Sequence, residues 1–204
     1  MKFDRPSIRN PVYPKKRKEK EIMMRKRPFL KFLWLPLILM TLAGCPPPPA
    51  TVPNVEIDRY LGLWYQVAGY PFFATENLVG VTAEYSLLEN GNVRVFNRGF
   101  EGDFNGPENT IIGEASVIDP STNAKLTVRF PEIFFGLFAG EYWIIRLDEV
   151  DYNYAVVSDS MRNTLYILSR TPTLDQEILD ELLDSLAMDG FDLERIQAFP
   201  QLVP

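Results

Sequence analysis

Val81-Thr82-Ala83-Glu84-Tyr85-Ser86-Leu87-Leu88, then Glu89-Asn90-Gly91, then Val93-Arg94-Val95-Phe96-Asn97-Arg98-Gly99-Phe100, is the stretch that decides the fold. Two runs rich in β-branched and aromatic residues flank an Asn-Gly pair. Both of those residues accept the left-handed backbone that a tight turn demands, so the stretch predicts a β-hairpin. The same pattern continues in both directions. Upstream, Leu63–Tyr70 is rich in Trp, Tyr and Val, and a loop with Pro71 and Gly80 follows it. Downstream, Thr110–Ile118 puts Ile111, Gly113, Ala115 and Val117 on one face and Glu114 and Ser116 on the other. Asp119-Pro120-Ser121 is a turn. Lys125–Phe130 then alternates Leu126, Val128 and Phe130 against Lys125, Thr127 and Arg129.

Three more strands are predicted at 141–147, 154–158 and 164–170, which brings the number to about eight, each joined to the next by a short loop. Such a meander closes most simply into an up-and-down antiparallel β-barrel, and eight strands leave room for one small ligand. The fold class is therefore all-β, an eight-stranded barrel with one C-terminal α-helix packed outside. Thr173 is the expected N-cap, with Gln176 completing a capping box. Ile178, Leu179, Leu182, Leu183 and Leu186 form the apolar stripe, Asp180, Glu181 and Asp184 face water, and Gly190 ends the helix. Phe191–Ile196 is a candidate last short strand.

The N-terminal quarter reads differently. Of 21 Lys/Arg in 204 residues, 12 fall in residues 1–44, against 3 of the 27 Asp/Glu, leaving 9 cations and 24 carboxylates for the remainder. An acidic domain repels phosphate, which argues against nucleic acid as a partner. Lys26, Arg27 and Lys31 precede Phe32–Ala43, an apolar run broken by Pro36 and too short to span a bilayer comfortably. Leu42-Ala43-Gly44-Cys45 follows at once and matches a bacterial lipobox. The order of charge, apolar core, small residues and Cys predicts a lipoprotein signal peptide over 24–44. Residues 1–23 are read as a non-native or disordered extension, with Met23 or Met24 as the true start. Cys45 becomes the lipid anchor, carrying two or three acyl chains because one binds a membrane only marginally. Residues 45–56 form a stiff Pro-rich tether and 57–204 the domain. Pro46 stands where an Asp favours inner-membrane retention in similar lipoproteins, so the expected location is the outer membrane, facing the periplasm.

There is no histidine, which excludes Ser-His-Asp and Cys-His catalysis and His-ligated zinc within this chain. The single cysteine permits no internal disulfide. Asp148, Glu149 and Asp151 have no calcium-loop spacing and read as a solvated turn. No metal and no cofactor is expected.

Gly62-Leu63-Trp64-Tyr65 resembles the G-x-W-Y motif that opens the first strand of lipocalins. Tyr154-Ala155-Val156-Val157, Arg162 and Leu165–Pro172 resemble the paired last-strand motifs of that family. Asn97-Arg98-Gly99 and the helix with its Gly-Phe ending resemble the bacterial outer-membrane lipocalins and the apolipoprotein D-like group. The resemblance covers roughly residues 54–201. It implies that Trp64 closes the barrel floor with Arg170 across its ring, and that Gly62, Trp64 and Arg170 are structural. Tyr166 departs from the Trp usual there. The resemblance also implies reversible binding of a fatty acid or lysophospholipid. Rival readings are a lipocalin-like enzyme acting on a lipid, and an envelope lipoprotein with a filled barrel.

If the first strand runs from floor to mouth, loops 71–80, 101–109, 131–140 and 159–163 ring the mouth, and 89–91, 119–123 and 148–153 lie at the floor. Alternation and resemblance together favour Ala68, Tyr85, Ala115, Val117, Leu126, Val128, Tyr142, Ile144, Tyr154 and Tyr166 as pocket wall. The tyrosine hydroxyls, with Arg146 or Asn97, offer places for a polar head group. Strands 63–70 and 93–100 are apolar on both faces, which leaves their inward sets open. Phe72, Phe73, Phe134 and Phe135 form an aromatic mouth rim that either folds inward as a plug or docks on lipid, receives ligand, or pairs two molecules as a homodimer.

Overall fold

A computed structural model describes residues 46–72, 75–131 and 139–203. Cys45, the signal segment and the extension before it lie outside these residues, as do Phe73, Phe134 and Phe135. Gly44–Pro204 forms one compact unit. It contains a closed barrel with its own core, so it is a domain that folds by itself.

A single turn of helix, α1 (Ile57–Tyr60), precedes strands β1 (Gly62–Gly69), β2 (Leu78–Leu87), β3 (Val93–Glu101), β4 (Glu108–Val117), β5 (Lys125–Arg129), β6 (Ala139–Leu147), β7 (Tyr154–Ser158) and β8 (Leu165–Ser169). Each pairs antiparallel with the next, and β1 pairs with both β2 and β8 to close the barrel. The hairpin that opened the reading is present, with Tyr85 opposite Val95 and Leu87 opposite Val93. Three strands reach further at the mouth than hydrophobic pattern alone indicated. Glu108 and Asn109 pair with Phe100 and Gly99, β2 begins at Leu78, and β6 begins at Ala139. Backbone pairing extends each of them.

Residues 154–158 and 165–169 are apolar on both faces because both faces are covered. Val157 and Leu168 point into the barrel core, whereas Val156, Leu165 and Ile167 meet the helix α2 (Gln176–Met188) through Leu182 and Leu186. On β3 the outward face stays at the surface. There Arg94 sits 5.2 Å from the Phe96 ring centroid and Arg98 sits 5.6 Å from that of Phe100, so each cation shields a ring.

The helix start differs from expectation. Asp175, not Thr173, is the N-cap, and its carboxylate accepts the Glu177 amide at 2.8 Å. Thr173 is used through its carbonyl, which the Thr171 hydroxyl reaches at 2.7 Å. The last helical turn carries no cation. Arg146 of β6 supplies one from the sheet, 2.6 Å from Asp189 and 3.2 Å from Ser185. The expected strand over 191–196 is instead a 3₁₀ turn at Leu193–Arg195, followed by β9 (Gln197–Ala198) beside the mouth end of β1. The tail goes on to seal the β1–β2 seam: Gly80 donates to the Pro200 carbonyl, and Gln201 donates to those of Gln66 and Val81.

Within its described part, the Pro-rich tether makes contacts with the barrel. Val52 donates to the Ile144 carbonyl and Val55 to that of Thr122, and Val55 is fully buried. Arg162 of the β7–β8 loop holds the Pro47 carbonyl at 2.8 Å. The domain therefore begins before residue 57, because two valines placed among prolines are apolar enough to join the core.

At the floor, the Arg170 guanidinium lies 3.8 Å from the Trp64 ring centroid. It donates to the carbonyls of Leu63, Arg59 and Tyr152. Gly62, next to Leu63, adopts φ +93°, which a side chain would strain. Arg170→Ala removes one stacking contact and three donors, and should lower unfolding stability by about 2–4 kcal/mol in urea titrations. Arg170→Lys should recover only part of this, since an ammonium cannot stack and fork in the same way.

Candidate functional site

The barrel interior is divided. A chamber of about 540 Å³ opens at the mouth, and a void of about 20 Å³, the size of one water, lies beneath it. Tyr85 and Tyr142 line both and so form the partition. Tyr142 places its hydroxyl 2.8 Å from that of Tyr60 and 2.9 Å from that of Tyr85. These three phenols share their hydrogen bonds, so a buried polar layer is satisfied without water. The layer rests on the floor: the Tyr60 ring is 5.0 Å from Trp64 and 5.7 Å from Tyr85, and the Trp64 indole donates to the Tyr60 carbonyl.

The expected pocket residues separate along this axis. Tyr85, Val128 and Tyr142 line both spaces, and Tyr166 lines the chamber alone. Ala115, Leu126 and Ile144 line only the lower void, and Val117 packs against the interior core beside them. Ala68 and Tyr154 do not face the interior; both join the outer cluster under α2. For Ala68 the cause is a bulge in β1 against β8 between Gln66 and Ala68, which turns the strand's alternation over. Asn97 does line the chamber, whereas Arg146 serves the helix. Of the aromatic rim, Phe72 lines the chamber and is partly exposed.

Gln66, Val81, Ala83, Val95, Ile111 and Leu168 also line the chamber. A sequence signal existed for Gln66: it is two residues from Trp64 and the lone amide in an apolar strand. The mouth carries Glu141 and Asp159. Asp159 is only 9 % exposed and accepts from the amides of Met161, Asn163 and Thr164 and from the Thr164 hydroxyl. Glu141 accepts from the Ser160 amide. Both carboxylates thus shape one loop. At the floor, Asp148 accepts amides of Val150, Asp151 and Asn153, as a turn does.

Burial raises the phenol pKa of Tyr60, Tyr85 and Tyr142; the neighbouring phenols add to the rise at Tyr142, while the hydrogen bond from Tyr142 offsets part of it at Tyr60 and Tyr85. In the unfolded chain these groups ionise near about pH 10. Above that pH the unfolded state binds fewer protons than the folded one, so stability falls as pH rises and is unaffected below. Alkaline titration should show these phenolates appearing only together with unfolding. A second expectation concerns depth: Tyr142→Ala joins the lower void to the chamber. The cavity should then accept a longer apolar probe in a binding series, each extra buried methylene contributing up to about 0.8 kcal/mol.

Comparison with known proteins agrees with this geometry. The lipocalin-like domain family matches residues 55–201. The outer membrane lipoprotein Blc of Vibrio cholerae is 36% identical over 170 residues, covering 82% of this chain and 96% of the relative. Blc of Escherichia coli K12 is 37% identical over 160 residues, with 77% and 87% covered. Mouse apolipoprotein D is 34% identical over 168 residues, with 78% and 84% covered. Among solved structures, insecticyanin of the tobacco hornworm Manduca sexta shares the fold, with TM-score 0.61 at 19% identity over 78% of this chain and 87% of that one. On the family match and on relatives of this identity and coverage, the chain belongs to the lipocalin family.

Proposed function

We propose that this protein is an envelope lipocalin that binds a single-chain lipid, a fatty acid or lysophospholipid, in the upper chamber. The observation that carries this reading is the chamber of about 540 Å³, lined mainly by apolar side chains and closed below by the tyrosine layer. An acyl chain removed from water there gains about 0.8 kcal/mol per methylene, partly offset by the freedom lost on binding. A charged head group remains at the mouth, because burying it without a partner is costly. The relatives named outer membrane lipoprotein support an envelope location. In this reading Cys45 of the lipobox is the acylated residue and the barrel lies on the periplasmic side. Storage or transport of membrane lipid follows as the role.

Native mass spectrometry of residues 46–204, purified from a lipid-containing host, should show a one-to-one adduct with the mass of a fatty acid or lysophospholipid. A bare domain that also refuses added oleate would refute lipid binding. The mature full chain should begin at Cys45 and carry two or three acyl chains; an unmodified Cys45 would refute the anchor alone.

A further inference from the structure

Four buried polar side-chain atoms among the described residues have no hydrogen-bond partner: Gln66 Nε2, Tyr70 Oη, Trp143 Nε1 and Arg162 Nε. Of these residues only Gln66 lines the upper chamber, and it is 5% exposed. It is the last inward residue of β1 before the bulge. Asn97 of β3 and Tyr166 of β8 line the same chamber. Neither side chain hydrogen-bonds to any described residue. The contrast with the layer below is sharp, since all three phenols there are satisfied. The mouth carboxylates above are satisfied too. Of these three chamber-lining residues, Gln66 alone has a side-chain atom that is both buried and without a partner among the described residues.

A buried amide left without a partner is destabilising, and a plain hydrocarbon chain lying beside it cannot supply one. Gln66 carries both a donor and an acceptor, and the phenol carries both as well. These are uncharged groups, suited to an uncharged oxygen. We propose that Gln66, with Asn97 and Tyr166, is a specificity site for an oxygen borne on the buried part of the ligand. The chamber then prefers an acyl chain bearing a hydroxyl or oxo group to the unsubstituted chain. This deepens the lipid-binding reading and rests on it. With the charged head group in water at the mouth, it is chain carbons that come level with Gln66.

The test is displacement of a fluorescent apolar probe from residues 46–204 by stearate and by a set of monohydroxystearates differing in hydroxyl position. At least one hydroxy isomer should bind about tenfold more tightly than stearate, equivalent to about 1.4 kcal/mol. Gln66→Leu should erase that advantage, bringing the affinity of the preferred hydroxy isomer down to that of stearate for the same variant. No advantage at any hydroxyl position in the wild-type domain overturns the proposal and needs no variant. An advantage that persists in Gln66→Leu overturns the role of Gln66. Equal weakening of both lipids places Gln66 against a head group and also overturns it. If neither lipid displaces the probe, lipid binding itself fails and this inference fails with it.

Discussion

The Arg170 guanidinium lying on Trp64 is the interaction from which the rest of the barrel is organised. It stands where β1 begins and β8 has just ended, at the end of the barrel that must be closed. A cation on an indole face contributes only about 0.5–2 kcal/mol by itself. Its weight comes from the three carbonyls the same guanidinium holds, which belong to α1, β1 and the β6–β7 turn at the floor. One side chain thereby fixes the short helix as a plug, and Trp64 can then be wholly buried with its indole N–H on Tyr60.

From that base an aromatic column rises into the barrel: Trp64, Tyr60, Tyr85 and Tyr142. Its upper members use their hydroxyls on one another, so the column ends in a polar layer that asks nothing more of its surroundings. Space left above it becomes the chamber, and space below shrinks to the volume of one water. The depth of the ligand site is therefore set by floor residues that do not resemble a binding motif. An acidic domain with carboxylates at its mouth is compatible with this use because those carboxylates are already engaged by loop amides.

The ends of the domain complete the closure. β1 pairs with β2 only over Gly62–Tyr65, and above that the C-terminal tail takes over the seam, with Pro200 and Gln201 supplying what the missing rungs would. The N-terminal stretch joins the core through Val52 and Val55. Helix α2 covers the outward apolar faces of β1 and β6–β8, and Arg146 ties its C-terminus to the sheet. Chain segments that look like connectors thus supply both core and edge protection, as a barrel without free edges requires.

The sequence by itself determined the strands, their order and the floor. Asn90-Gly91 set the hairpin and period-two alternation set β4 and β5, because local backbone geometry and side-chain alternation are short-range properties. Gly62, Trp64 and Arg170 were legible only through the resemblance of the first-strand and last-strand motifs to those of lipocalins. The sequence did not determine which residues face the ligand. A bulge after Gln66 sent Ala68 outward, helix cover made β7 and β8 apolar on both sides, and three phenols distant in the chain met to divide the interior. Those outcomes depend on register, on what packs outside the sheet and on contacts between remote residues, and only the closed tertiary structure decides them.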